Sequence, residues 1–564
     1  MVVGLSAVRW ILAGAVLAGA TVVAAPAGTS AAPPEHRVYV VTDSVGLGAK
    51  TALPAAFPAD WQVTVDGTPA LFVEQLESKH VRGRMATTPE VFGDVAVVAG
   101  GYNYPYWDPG RFDRSIDSII AALREAGAKH ILWVMLREVK PQYVSPSAWR
   151  QVQPYYWYFP EVNRHLEAAL ARNPDLTLVD WPAAADRSDI TYDAIHLNTT
   201  GAALYSQLIA SAAMSVLDRP AAGSVQHIAV GGRAGVPEGA AAVALNLTVA
   251  SPRAAGYLTA YPCSGERPLV SNANFTRDQV VASAAIVPVG ADGSVCVFDS
   301  EGTHVVVDVT GSFPAGSGFV AVPPKRLADT RTDGGAPVPA GTPLVVSLDG
   351  SGAPGDAAAV VLTVTATEPA GRGFATVVPC GTAPTGTSNL NFEAGQTVPN
   401  VVVVQPGDGG AVCVTSNVDT HLVVDVFGAF EPDADVGVLE PRRLVDTRSS
   451  GTPAAGGVVV VPVGGPSGAP AGASGVMLNL TAAEPRAAGY LTAYPCAAGP
   501  PLASNLNVRA GINRANFVLV APDAAGTVCV LTSAATDVVV DLMGWVGSAF
   551  SGTVPTRLLD TRSG

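Results

Sequence analysis

Six cysteines fall into three pairs, Cys263 with Cys296, Cys380 with Cys413 and Cys496 with Cys529, each spaced by 33 residues, and none precedes Cys263. The pairs ride on a longer repeat. ALNLTVASPRAAGYLTAYPC (244–263) matches VLTVTATEPAGRGFATVVPC (361–380) and MLNLTAAEPRAAGYLTAYPC (477–496), a period of 116–117 residues. Such self-similarity confines the second half of the chain to three copies of one unit. In each copy, Val-rich runs alternate with Gly, Pro, Asp and Asn turns, and helical periodicity is absent, which is the pattern of all-β structure. There is no CxxC, and no His stands at metal-ligand spacing from a cysteine, so the pattern predicts three disulfides in an oxidising compartment, and no metal.

Two further strings mark the repeats. Ser-Asn-x-Asn segments at 271–274, 388–391 and 504–507 suit turns or buried amides, and a Val-Asp-[Val/Leu] strand closes each core at Asp308, Asp425 and Asp541. Arg-Leu-x-Asp-Thr-Arg begins at Arg326, Arg443 and Arg557. The first repeat has no such string before it, yet one ends the chain. Either the terminal string completes repeat 1 and closes a pseudo-threefold ring, as propellers close, or it begins an aborted fourth copy in a row of sandwiches. The string itself reads as a structural turn, with Asp329, Asp446 and Asp560 bonding nearby backbone or Arg. The expected units are 219–320, 321–437 and 438–550, with 551–564 as the closing strand.

At the N-terminus, Arg9, the apolar Trp10–Ala25 run and the small residues after it read as a signal peptide over 1–31. No later segment approaches 18 uninterrupted apolar residues, so no membrane span is expected after cleavage, and the protein is expected to be secreted or surface-associated. The net charge of −14, without a basic stripe, excludes nucleic acid as an expected partner.

Residues 35–218 follow a different rule. Apolar runs at Val38–Val41, Gln62–Val65, Val95–Ala99, His130–Met135 and Leu176–Asp180 alternate with amphipathic stretches at Arg111–Ala126, Glu161–Arg172 and Gly201–Leu217. This alternation predicts a parallel sheet covered on both faces, a three-layer α/β sandwich. Ser44, in Thr42-Asp43-Ser44-Val45-Gly46, ends the first strand; it is either a nucleophile or part of a helix cap. Asp193 and His196, in Asp193-Ala194-Ile195-His196, lie between the last strand and the last helix, a spacing that lets one carboxylate orient one imidazole.

An early Ser at a strand end and a late D-x-x-H resemble the first and last motif blocks of SGNH/GDSL-type serine hydrolases, and Gly100-Gly101-Tyr102-Asn103 resembles the middle block. The resemblance spans about residues 37–217. It implies a flavodoxin-like fold and a Ser44–His196–Asp193 triad. It also implies an oxyanion hole from the Ser44 N–H, Gly67 and Asn103, and ester hydrolysis or acyl transfer without a cofactor. A register a few residues later would put Ala70 in place of Gly67. Thr42 stands where the family has Gly, and Tyr104 where it has Asp. Tyr102, Tyr104 and Trp107, and Tyr156 and Trp157 within 143–159, lie in loop-like stretches as candidates for a substrate rim. Arg137 and Glu138 follow the fourth strand and either reach the site or form a surface ion pair, the plainer reading, and His36, His80, His130 and His165 show no matched partner. The expected substrate is a small ester or an O-acylated carbohydrate, with the repeats attaching to a surface or cell-wall glycan. The competing expectation is a non-catalytic adhesion or carbohydrate-binding protein.

Overall fold

The computed structural model describes Pro34 and residues 36–562, except 104–107, 174, 218, 333–334, 385–386 and 466–467. The expected signal peptide, Tyr104 and Trp107 therefore lie outside the described residues.

Five parallel strands, β1 (His36–Thr42), β2 (Trp61–Gly67), β3 (Val95–Ala99), β4 (His130–Val134) and β5 (Leu176–Val179), form a sheet in the order β2-β1-β3-β4-β5. β3 reads Val-Ala-Val-Val-Ala and is buried throughout, as a strand covered on both faces must be. Helices Pro109–Glu125 and Tyr155–Ala169 pack together, and Thr199–Leu217 packs with Ala52–Ala55. Thr199–Leu217 is also long and apolar enough to cross a membrane. Here Ala202, Tyr205, Ile209, Ala213 and Val216 bury one side of it in the α/β core. The stretch 143–159 is not the expected loop. Pro146–Val152 and Tyr155–Ala169 are helices, and Tyr158 and Phe159 extend the buried stripe of Val162 and Leu166 by one turn.

Each repeat is a pair of four-stranded antiparallel sheets. Their facing sides enclose a separate core, such as Val243, Leu245, Leu258 and Val297 in repeat 1. Cys263–Cys296, Cys380–Cys413 and Cys496–Cys529 are disulfides, one in each repeat. Strand pairing sets His227 opposite Cys296, a proximity invisible in the spacing; both neighbouring sulfurs belong to the Cys263–Cys296 bond.

One sheet of each repeat turns its other face to a shared centre. Phe313, Phe319, Phe430, Met477, Phe517 and Phe550 meet there, drawn from all three repeats. Alternation along a strand explains the double use: Val360, Leu362 and Val364 fill the core of repeat 2, while Ala359 and Val361 between them face the centre.

The C-terminal strand Ser551–Asp560 pairs antiparallel with His304–Pro314 of repeat 1, so the ring is closed by the end of the chain. Phe319–Asp329 and Val436–Asp446 hold the equivalent place in repeats 2 and 3. The recurring string works as an ionic clasp. Arg557, Arg326 and Arg443 each reach across to the buried Asp308, Asp425 and Asp541, with Nε–O distances of 2.8, 2.8 and 2.7 Å. Each also binds the Asp within its own string.

Repeat 1 docks on the N-terminal ends of the parallel strands. Arg253 donates to His130 Nδ1 at 2.7 Å and Arg277 to the Leu176 carbonyl at 2.7 Å, while His304 meets the Ser215 carbonyl. Burial lowers the His130 pKa to about 4, so its ring is neutral and accepts. The other three histidines judged partnerless also find groups distant in sequence: Asp94 for His36, Thr68 for His80 and Asp113 for His165. The opposite edge, at the strands' C-terminal ends, is left for the site described below.

Deleting 551–564 strips one of the two β-pairings of His304–Pro314 and leaves Asp308 buried without its cation, a loss of about 3–5 kcal/mol. Hydrogen exchange should then lose protection across 304–312 and keep it across 421–430 of repeat 2. Unchanged protection at 304–312 would contradict closure by the C-terminal strand.

Candidate active site

The strand order reverses between β1 and β3, where an open α/β sheet forms a crevice at its C-terminal edge. Ser44 begins the short helix Ser44–Leu47 directly after β1. Asp43 caps that helix, its Oδ1 accepting from Val45 N at 3.1 Å. Its other oxygen accepts from Tyr102 N at 3.3 Å and Asn103 Nδ2 at 3.2 Å, on the loop after β3. One carboxylate thus serves as a cap and as the tie between two loops of the crevice. Full burial raises its pKa to about 6, against the lowering effect of backbone hydrogen bonds from Val45, Tyr102 and Gly101 and of His196.

Thr42, the departure from Gly, is accommodated by its neighbours. Its hydroxyl donates to the Ala99 carbonyl at 2.9 Å. A Cβ on Gly46 would lie 2.1 Å from that hydroxyl oxygen, so threonine at 42 requires glycine at 46.

Asp193 and His196 sit on a tight loop closed by a bridge of Thr191 with Leu197, just before the helix Thr199–Leu217. Asp193 Oδ1 accepts from the N–H groups of Ile195 (3.0 Å) and His196 (2.7 Å), and Ala194 takes a positive φ of 73° to close the turn. That leaves Oδ2 for His196 Nδ1, at 2.7 Å. His196 Nε2 then stands 3.1 Å from Ser44 Oγ. Burial would raise the Asp193 pKa, but the bonds from the His196 ring, its N–H and that of Ile195 prevail, and the carboxyl stays below the usual range. The exposed Tyr192 lies nearly parallel to the His196 ring, with centroids 5.7 Å apart.

Arg137 is not half of a surface ion pair. It is 2% exposed and donates to the carbonyls of Ala185 (2.9 Å), Ala194 (2.7 Å) and Arg187, and to Thr191 Oγ1 (3.1 Å). Its guanidinium also lies 4.2 Å from the centre of the Tyr143 ring. A planar five-donor group suits this convergence of acceptors, and it anchors the Asp193–His196 loop to the end of β4. Spacing gave no sign of this, because its partners lie 48–57 residues away.

The expected oxyanion donors are less simply arranged. Gly67 ends β2 in register with Thr42, and a Cβ there would lie 2.4 Å from the Thr42 carbonyl, so close packing against β1 accounts for this glycine. Asn103 Nδ2 meets Asp43 and, at 3.4 Å, the Leu71 carbonyl. Leu71 follows Ala70, the candidate of the later register, which adopts a positive φ of 60°. Tyr102 is not a rim residue. It is buried with its hydroxyl accepting from Arg137 N, because its ring packs against Phe159. Tyr156 and Trp157 are more than half exposed.

In structure, the N-terminal third of the chain is similar in fold to several solved bacterial proteins. The catalytic domain of peptidoglycan O-acetyltransferase A from Streptococcus pneumoniae is 21% identical, covering 33% of this chain and 96% of that domain, with a TM-score of 0.26. A GDSL-like lipase from Bacteroides thetaiotaomicron is 14% identical (32% and 88% covered, TM-score 0.27). A lipase/acylhydrolase from Enterococcus faecalis is 16% identical (31% and 93%, TM-score 0.24). No protein-family model and no curated protein matches the chain.

A carboxyl raised to about 6 in the fold, against an ordinary aspartate's 3.8, binds its proton more tightly when folded. Its contribution to stability is therefore present at low pH and is lost as pH rises through that window. Urea unfolding followed by tryptophan fluorescence should show the wild-type advantage over Asp43→Asn shrinking between pH 4 and pH 6.5, by on the order of 3 kcal/mol. A difference independent of pH would mean that Asp43 is not buried as a strained carboxylate.

Proposed function

We propose that the N-terminal domain is a serine esterase or acyl hydrolase, acting on a small ester or an O-acylated carbohydrate. The observation that carries this reading is the unbroken chain Ser44 Oγ–His196 Nε2–His196 Nδ1–Asp193 Oδ2, at 3.1 and 2.7 Å. In this reading Ser44 Oγ attacks the acyl carbon while His196 takes its proton at Nε2. Asp193 holds the ring and stabilises the imidazolium. The tetrahedral oxyanion is met by the Ser44 N–H and by donors from the Asn103 side of the crevice, with the Ala70 N–H in the place assigned to Gly67. His196 returns the proton to the departing alcohol, and water then releases the acyl group by the same steps in reverse. The exposed Tyr156 and Trp157 suit an acyl or sugar rim. In the same reading the protein is exported, and the repeats attach it to a surface or glycan.

One observation favours the competing, non-catalytic reading: the side-chain amide of Asn103 already has two acceptors, Asp43 and Leu71. Catalysis requires it to exchange the longer of these, to Leu71, for the oxyanion.

Hydrolysis of p-nitrophenyl acetate and butyrate separates the two. The wild type should turn over, and Ser44→Ala and His196→Ala should each lose about 10³-fold or more in kcat. An inactive wild type, or variants that keep wild-type rates, would transfer the domain to the binding class.

A further inference from the structure

The three disulfides share one strand register but not the same neighbours. The second cysteine of each pair faces the edge strand beside it in the sheet remote from the shared centre. Cys296 stands opposite His227, Cys413 opposite Val345 and Cys529 opposite Val460. In every pair one cysteine is buried and the other partly exposed, so burial does not set one disulfide apart from the others.

The imidazole does set one apart. A ring nitrogen of the exposed His227 and the sulfurs of Cys263 and Cys296 lie within 4.8 Å of one another. Nε2 of that ring is 3.2 Å from Ser294 Oγ and 3.3 Å from Asp292 Oδ2. Hydrogen bonds from Ser294, with a smaller contribution from His227, keep the Asp292 carboxyl below the usual range, so the ring faces an ionised group. Where repeat 1 has Asp292, repeats 2 and 3 have Gly409 and Ala525. The same scaffold is therefore built twice with valine in place of the histidine and without that carboxylate, and neither group is needed for the fold of a repeat.

We propose that Cys263–Cys296 is a thiol-exchange site, at which a small external thiol adds to Cys263. Exchange proceeds by attack of a thiolate on one sulfur, and it is faster the more acidic the thiol that leaves. A cation beside a cysteine lowers the pKa of its thiol, and an imidazolium is one such cation. The incoming thiolate bonds to Sγ of Cys263, the partly exposed sulfur. The bond to Cys296 Sγ breaks, its electron pair stays on Cys296, and that sulfur takes the proton carried by the protonated His227 ring. A second molecule of thiol then attacks the external sulfur of the mixed disulfide. Two external thiols are oxidised to one disulfide, and Cys263 and Cys296 are left as thiols. Val345 and Val460 offer neither charge nor proton, so the disulfides beside them exchange more slowly. The proposal is independent of the esterase and attachment readings.

The test is reduction of the folded full-length protein with glutathione, quenched by alkylation at intervals and read by peptide mapping at all six cysteines. Cys263–Cys296 should open about tenfold faster or more than Cys380–Cys413 and Cys496–Cys529, with the glutathione adduct on Cys263. His227→Val, which installs the residue of the other repeats at an exposed position, should slow it to their rate without changing the melting temperature. His227→Lys, which keeps a positive charge there, should retain part of the advantage. Equal rates for the three wild-type disulfides would overturn the proposal. So would a fast Cys263–Cys296 that His227→Val leaves fast, which would trace the reactivity to opening of the strands and not to the ring.

Discussion

N–H groups from two segments converge on the carboxylate of Asp43: the first turn of the helix that carries Ser44, and the backbone and side chain of the loop after β3. Placing a carboxylate wholly inside a protein is unfavourable unless such donors meet it. The fold accepts that cost at the point where the sheet's strand order reverses. The serine turn and the Asn103 loop are consequently one rigid unit. Arg137 does the corresponding work on the other side of the crevice, with the charges reversed: one buried cation gathers the carbonyls of the loop that carries Asp193 and His196. A 3.1 Å contact between groups 152 residues apart in sequence depends on both anchors.

The repeat region solves a different problem. Each repeat must bury one sheet on both faces, and the chain does so by using that sheet's central strands twice. Their alternate residues fill a private core and a shared centre. The closing strand from the C-terminus supplies in repeat 1 the edge strand that Phe319–Asp329 and Val436–Asp446 supply in repeats 2 and 3, and the Arg–Asp clasp fixes its register against the buried aspartate. The repeats fasten to the α/β domain on the edge remote from the serine, so the same architecture leaves the crevice uncovered.

Much of this was legible in the chain. Hydrophobic period located the five parallel strands to within a few residues, and the repeat length and cysteine spacing revealed three disulfide-bearing units. The circular offset of Arg-Leu-x-Asp-Thr-Arg left closure and an aborted fourth copy as two readings, and the pairing of Ser551–Asp560 with His304–Pro314 is what decides for closure. Side chains whose partners are remote were not legible. Arg137 next to Glu138 looks like a surface pair until the loops after β5 fold over it. Tyr102 looks like a rim residue until Phe159 covers it, and 143–159 looks like a loop because Pro154 and Pro160 obscure the helical stripe. The close packing of Gly67 against Thr42 likewise depends on strand register.

The central claim is that Ser44 is activated by His196 within a pre-formed unit. Labelling with a fluorophosphonate, read by intact mass and peptide mapping, tests it most directly, since the reagent needs an activated nucleophile and no knowledge of the natural substrate. The account predicts a single adduct on Ser44, formed in the folded wild type and absent from His196→Ala. No adduct, or one formed equally without His196, would contradict it.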